Sequence, residues 1–255
     1  MSAAKIVVRR CTTLEEFEQS VELQRAIWQE SVIVPSAMFV VAQETGGQVI
    51  GAFAGEELAG FLMALVGTHG EARGNDVFLH SHMTAVLPAW QNRGVGRLLK
   101  LAQRDDALRR GIRLVEWTFD PLDLRNGHFN FRRLGAVARR VIPNCYGITE
   151  SPLHAGLPTD RLVAEWHLDS PQVESILGGK PPKIPANAVR IAVPANIGEL
   201  RWHDPAAAKR HQSRIRREFK HWFAKGFAAI DLDRGTGESV HYMLAPLPES
   251  REVVD

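Results

Sequence analysis

The sequence predicts an α/β chain, more closely an α+β chain with a mixed sheet, extended at its C-terminus by a β-α-β-β unit. Three observations carry that expectation. Apolar, β-branched runs alternate with stretches whose apolar residues recur at helical spacing, in the order β-α-α-β-β-β-α-β-α-β-β. Glycines at 46, 47, 111 and 135 stand where the predicted helices stop. The composition, 255 residues with 45% hydrophobic and 24% charged, is that of an ordinary globular protein able to bury one large core or two modest ones.

Taken in order, Lys5–Cys11 (KIVVRRC) is a short strand. A helix follows, with Thr12 or Thr13 as N-cap and Glu15 or Glu16 closing a capping box. Leu14, Phe17, Val21, Leu23 and Ile27 form its apolar face. Pro35 opens a second helix that runs to about Ala42. Residues 48–67 read as a hairpin around the turn Gly55-Glu56-Glu57. The polar loop THGEARGND leads into the strand that ends at Val86, and the helix after it starts at Val95 and runs to about Arg110. RLVEWTFD is a strand, LRNGHFNFRRLG a short helix, and AVARRVIPNCYG and RLVAEWHL two more strands. Trp28, Trp117 and Trp166 fall on apolar positions and are expected in the core.

Near residue 171 the texture changes to the Gly- and Pro-rich GGKPPKIPAN, which reads as a linker. The expected organisation is therefore a domain over residues 1–170, a linker over 171–188 and an extension over 189–255. The extension has a strand, a basic helix over Pro205–Lys225 and two strands. Ile215, Phe219, Trp222 and Phe223 recur at helical spacing in that helix, which makes it amphipathic and packed on the core.

The formal net charge is only +2, with acidic and basic residues nearly balanced, so nothing global favours nucleic acid or an anionic membrane as partner. Cys11 and Cys145 lie far apart without metal-ligand or redox spacing, which suits a reducing compartment. The opening residues lack an apolar leader, and no run of about eighteen uncharged apolar residues occurs. The expected location is cytoplasmic, with no metal.

The informative stretch is LHSHMTAVLPAWQNRGVGRLLKLA, Leu79–Ala102. Gly94 and Gly96 lack Cβ atoms, so the backbone there can bend sharply and approach a ligand closely. The first N–H groups of a helix have no intrahelical partner and sit at the positive end of its dipole. A ring of amides from Asn92 to Arg97 would thus converge on one anion, and Arg93 and Arg97 would add charge-assisted bonds. A lone Gly-x-Gly turn is also compatible with no ligand at all.

Context narrows the choice. Gln91-Asn92-Arg93-Gly94-Val95-Gly96 follows a strand that ends Val86-Leu87-Pro88, and this resembles motif A of the GNAT acyltransferases. The resemblance covers about Lys5–Asp169, and it implies the GNAT fold, with the loop (Gln91, Asn92, Arg93, Gly94, Val95, Gly96, Arg97) holding the pyrophosphate of acetyl-CoA or another acyl-CoA. It also implies that the strand before the loop splays from its neighbour. The backbone groups of Thr84, Ala85 and Val86 would then pair with the pantetheine arm, and one amide would polarise the thioester carbonyl. The amine acceptor would attack directly.

Direct attack needs a base. The strand FLHSHMTAV contains no acid, but His80 and His82 share a face by the period-two rule, and imidazole titrates near neutrality. His82 is the first candidate for the base or the anchor of its water, with His80 beside it. Asp120, at the end of VEWTFD, is the second candidate, although DPLD is equally a turn and cap signal. Asn126 matches the family's asparagine, with a shorter spacing to Gly135 than usual. Phe131 stands where the family carries the tyrosine that protonates the leaving thiolate, and Tyr146 reads as structural.

The resemblance also reaches a bacterial branch that includes amino-acid N-succinyltransferases; by that analogy Arg125, Arg132 or Arg133 would bind a distal carboxylate. The expected partners are acyl-CoA and a small amine or amino-acid acceptor, with the tail as a lid or acceptor wall; a homodimer is compatible with the sequence. Two alternatives stay open: a non-catalytic acyl-CoA-binding or regulatory protein, and a protein N-acetyltransferase.

Overall fold

A computed structural model describes residues 5–28, 33–69, 76–148, 155–235 and 237–247. The start of the opening stretch and the middle of the THGEARGND loop lie outside the described residues. The chain divides into two compact units, Met1–Trp117 and Thr118–Asp255. That boundary falls earlier in the chain than the texture change near residue 171.

The first unit contains β1 (Ile6–Arg10), α1 (Leu14–Trp28), α2 (Ser36–Glu44), β2 (Gln48–Ala54), β3 (Glu57–Thr68), β4 (Val77–Val86) and α3 (Val95–Arg109). It runs out along β5 (Leu114–Phe119). Strand order is β1-β2-β3-β4-β5. The first four strands are mutually antiparallel, and β4 pairs with β5 in parallel. The expected capping box forms at α1: the Glu16 N–H donates to Thr13 Oγ1 at 3.3 Å, and the Thr12 and Thr13 N–H groups donate to Glu16 Oε2 at 2.6 and 3.4 Å.

Each face of this sheet carries helices. Phe17, Val21 and Leu23 of α1 and Phe39 of α2 pack with Val49, Phe53, Phe61, Met63 and Ala85. Leu14, expected on that face, is exposed because it sits at the first helical position, ahead of the buried stripe. Strand alternation turns Gln48 to the opposite face, where its amide exchanges hydrogen bonds with Gln103 of α3.

The second unit contains α4 (Leu124–His128), a π-helical turn over Phe129–Leu134, β6 (Val137–Ile142), β7 (Arg161–His167) and α5 (Pro171–Leu177). It continues with β8 (Val189–Pro194), α6 (Ile197–His203), α7 (Pro205–Phe223), β9 (Phe227–Asp233) and β10 (Ser239–Pro246). Strand order here is β7-β6-β9-β10-β8, paired antiparallel. The pairing of β6 with β9 at Ala138↔Ala229 joins the 118–170 stretch and the tail in one sheet.

Two elements differ from expectation. The first turns of the expected linker are α5, capped where the Ser170 hydroxyl accepts from the Val173 N–H at 3.3 Å, with Pro171 at the first helical position. The tail also has a short extra helix, α6, whose seven residues are too few for a periodicity to show. The basic helix is amphipathic as expected: Ile215 and Phe219 of α7 are buried.

The core of this unit is aromatic. Phe131 sits between Phe119 and Tyr242, with ring centroids 6.0 Å away on each side, and Phe219 packs 5.1 Å from Tyr242. Buried Tyr242 donates its hydroxyl to the Pro121 carbonyl at 2.7 Å. Asp231, 1% exposed, takes a two-pronged bond from Arg132 at 2.7 and 2.6 Å. Tyr242→Phe should leave that buried carbonyl unsatisfied and cost about 1–2 kcal/mol in urea unfolding without changing the m-value.

Candidate active site

The site is built on the second half of β4. Its ladder to β5 contains only Leu79↔Val115 and His80↔Glu116, while β4 continues to Val86. The two strands therefore part after His80, although the β3 side stays paired through Gly60↔Val86. From Ser81 onward, one edge of β4 has no partner in the β5 ladder.

A bulge lies at the same place. Met63 pairs with Met83 and Ala64 with Ser81, so His82 is an extra residue on β4. Its effect on the faces is visible in the packing. Ser81 contacts Lys100 of α3, yet Met83 and Ala85 pack with α1 and α2. The alternation reverses across His82. The period-two assignment of His80 and His82 to one face therefore fails at the bulge, though the two rings remain neighbours, with centroids 6.1 Å apart.

His82 is exposed at its edge, and His80 is half-buried. Burial holds both imidazoles below their ordinary pKa, and at His80 the neighbouring His82 charge adds to the effect. Both rings are thus neutral at pH 7 and able to accept a proton. Sequence reasoning missed Glu116. It is 5% exposed, lies opposite His80 in the ladder, and its carboxylate is 3.2 Å from His69 Nε2. A lone acid inside the apolar run LVEWTF was the available signal.

The loop after β4 is tightly folded. Leu87 N–H donates to Ala59 O at 2.9 Å, Pro88–Trp90 make a 3-10 turn, and the Gln91 side chain donates to Val86 O at 2.9 Å. Gln91 is therefore a strap between loop and strand. Asn92 (φ 60°) and Gly94 (φ 83°) are left-handed, which turns the chain sharply into α3. Gly94 has open space around it, and a Cβ on Gly96 would meet only Val86 Cγ2, at 3.9 Å. The positive end of the α3 helix dipole lies at Gly94–Val95, with no side-chain cap and no acidic side chain in the first turn to offset it. Arg93 lies 5.4 Å over Trp90 at the loop's rim, and Arg97 is in the first turn of the helix. Thr84 and Val86 are half-buried and Ala85 is buried.

A cavity of about 1050 Å³ lies elsewhere in this unit, with Glu15, Glu18, Glu22, Arg25, Glu56 and Glu57 as its charged lining and Leu87 from the turn after β4. Its carboxylates would repel a diphosphate.

Comparison with known proteins agrees with this fold. Residues 9–135 match the model of the Acetyltransferase (GNAT) family. The chain belongs to the GNAT acetyltransferase superfamily. The ribosomal-protein-S18-alanine N-acetyltransferase of Escherichia coli superposes with a TM-score of 0.52 at 14% identity, covering 65% of this chain and 96% of its own. NAA60 of Arabidopsis thaliana, solved with acetyl-CoA, gives 0.53 at 15% identity, covering 64% and 99%. A putative acetyltransferase of Acinetobacter baylyi gives 0.53 at 15%, covering 66% and 95%. At such identities these structures share the fold. No curated protein matches the chain in sequence.

The remaining GNAT positions lie in the second unit. Asp120 is held in an ion pair with Arg201 at 2.7 Å, and its other oxygen accepts the Leu122 N–H at 2.8 Å. Those contacts are the turn reading of DPLD, and they leave the carboxylate engaged. Asn126 sits in the first turn of α4, its N–H on Asp123 Oδ1 at 3.0 Å. Phe131 is 0% exposed, inside the aromatic core. Tyr146 is exposed, with its hydroxyl 2.8 Å from Thr118 Oγ1. Arg132 is committed to Asp231, so of the three arginines named for a distal carboxylate it drops out. Among the described residues no group of three His, Cys, Asp or Glu side chains is placed to hold a metal ion, and no helix is long and apolar enough to cross a membrane.

Gly94→Trp puts a large side chain over the amide ring and strains a left-handed residue. CoA affinity by calorimetry should fall at least about tenfold, or 1.4 kcal/mol, in a protein that still folds. Burial lowers the Lys100 pKa from 10.5 to about 7, so between those values the unfolded chain binds one more proton than the folded one. Wild-type stability should therefore rise with pH from 7 towards 10.5 relative to Lys100→Met. Urea unfolding at pH 7 and 9.5 checks that slope.

Proposed function

We propose that this GNAT protein transfers an acetyl or other short acyl group, succinyl among them, from acyl-CoA to the amine of a small molecule such as an amino acid. The observation that carries the proposal is the coincidence of three features within unit 1: the strands that part after His80, the bulge at His82, and the uncapped helix start that follows Gly94.

Each feature has a chemical use. The amides of Val95, Gly96 and Arg97, with Arg93, suit the diphosphate of the substrate. The open edge of Thr84–Val86 offers backbone groups to the amide-bearing pantetheine arm. A free N–H near the bulge would stabilise negative charge on the thioester oxygen, a contribution of about 3–4 kcal/mol in other acyl-transfer sites. His82, neutral and solvent-touching, takes a proton from the acceptor's ammonium, directly or through one water, and the neutral amine so formed attacks the thioester carbonyl. His80, with buried Glu116 opposite it in the ladder, supports that ring from behind.

Phe131 offers no proton. Departure as thiolate is tolerable, since a thiol pKa of about 8.5 lies close to neutrality. Of Arg125, Arg132 and Arg133, which the analogy names for the distal carboxylate of a succinyl donor, Arg132 is bound to Asp231.

The test is release of free CoA thiol from acetyl-CoA and succinyl-CoA with pools of D- and L-amino acids, polyamines and peptides, alongside direct CoA binding. Turnover in an amino-acid or amine pool supports the reading; tight CoA binding with no turnover in any pool overturns it. His82→Gln should lower kcat by about 100-fold while leaving CoA affinity unchanged; an unaltered kcat would remove His82 from the base role.

A further inference from the structure

Lys100 is the one buried cation of the first unit among its described residues, at 4% exposure. It occupies the inner face of α3 with Val95, Leu99 and Ala107, where a leucine or methionine would pack at no electrostatic cost. Burying an amine costs several kcal/mol unless its partners compensate. Its presence there asks for a use.

Its contacts identify one. The amine lies 2.7 Å from Ser81 Oγ, 3.1 Å from Gln103 Oε1 and 4.0 Å over the Trp117 ring. The last rung of the β4–β5 ladder is His80↔Glu116. Ser81 and Trp117 are the next residue on each strand, the first two that would pair if the ladder continued. Lys100 therefore touches both lips of the opening at its apex, and Ser81 is also the residue just before the bulge. Behind the amine, Gln103 bonds Gln48, Gln48 bonds Asp106 at 2.8 Å, and Asp106 pairs with Arg10 at 2.7 Å. This buried chain ties the amine to β1 and β2.

We propose that Lys100 is a positioning residue: held between Ser81 of β4 and Trp117 of β5, its amine replaces the missing rung, sets the width of the opening and fixes the bulge that presents His82. Either protonation state fulfils the role. An ammonium donates to Ser81 and Gln103 and lies on the Trp117 π face; a neutral amine keeps the Gln103 bond and accepts the Ser81 hydroxyl. The His80 ring on β4 feels the amine's charge, lies opposite Glu116 on β5, and shares its face with His69.

The kinetic part of this inference rests on the acyl-transfer reading; the spectroscopic part does not. The experiment compares wild type with Lys100→Met, Lys100→Gln and Ser81→Ala, first without ligand. In Lys100→Met, NMR should show amide shifts concentrated at Ser81–Met83 and at the Trp117 indole, with a displaced His82 imidazole titration. With acyl-CoA and an acceptor, kcat should fall about tenfold or more while KM stays within about threefold. Lys100→Gln, which retains an N–H for Ser81, should recover part of both effects. Should Lys100→Met fail to fold, Ser81→Ala is expected to show the same kcat fall and the same His82 displacement. A folded Lys100→Met or Ser81→Ala with wild-type His82 titration overturns the proposal, as does a wild-type kcat. If no acceptor supports turnover even in wild type, acyl transfer fails while the NMR comparison still decides the role of Lys100.

Discussion

The structure depends on one interrupted ladder. β4 and β5 share two rungs and then part, so a strand in the middle of a sheet acquires an edge without being at the sheet's margin. Exposed edges normally invite unwanted pairing. Here the edge is short, bent by the bulge at His82 and closed at its far end by the Gln91 strap to Val86. What remains is a slot with hydrogen-bonding backbone along one wall and an uncapped helix start at its end. That combination suits an extended ligand of amide groups ending in a diphosphate.

Keeping such a slot open is an energetic problem, since paired backbone is the more stable state. The first unit answers with polar groups placed where a simpler protein would put apolar ones. Lys100, Gln103, Gln48 and Asp106 form a continuous buried chain beneath the slot, and Glu116 with His69 and His80 occupies the opposite face. Lys100, Gln103, Gln48 and Asp106 are linked by hydrogen bonds, and Glu116 pairs with His69, so these buried groups are satisfied. The second unit secures its own core with Phe131, Tyr242 and Phe219 and with the Arg132–Asp231 pair.

Much of this was legible in the sequence. The element order, the α1 capping box at Thr13 and Glu16, the left-handed Gly94 and the amphipathic α7 all arise from local rules: spacing, caps and glycine punctuation. The bulge was not legible, because an extra residue in one strand shows only against its partner, and β3 is read separately from β4. The face reversal at His82 follows from the same non-local fact. Lys100 carries no signal of its own in the sequence, since nothing within α3 announces that Ser81 and Trp117 enclose it. Asp120 was open to both a base reading and a turn or cap reading; Arg201, which engages it, lies 81 residues later. The fold and the Gly94 turn were thus local information, while the surroundings of His82, Lys100 and Asp120 were tertiary.

The central claim is that the parted half of β4 and the loop after it hold acyl-CoA. Amide hydrogen exchange read residue by residue, with and without acetyl-CoA, tests it most directly. Protection confined to Ser81–Val86 and Asn92–Arg97 is the predicted result. Binding that leaves those amides unprotected, and protects instead the groove lined by Glu15, Glu18 and Glu22, would contradict it.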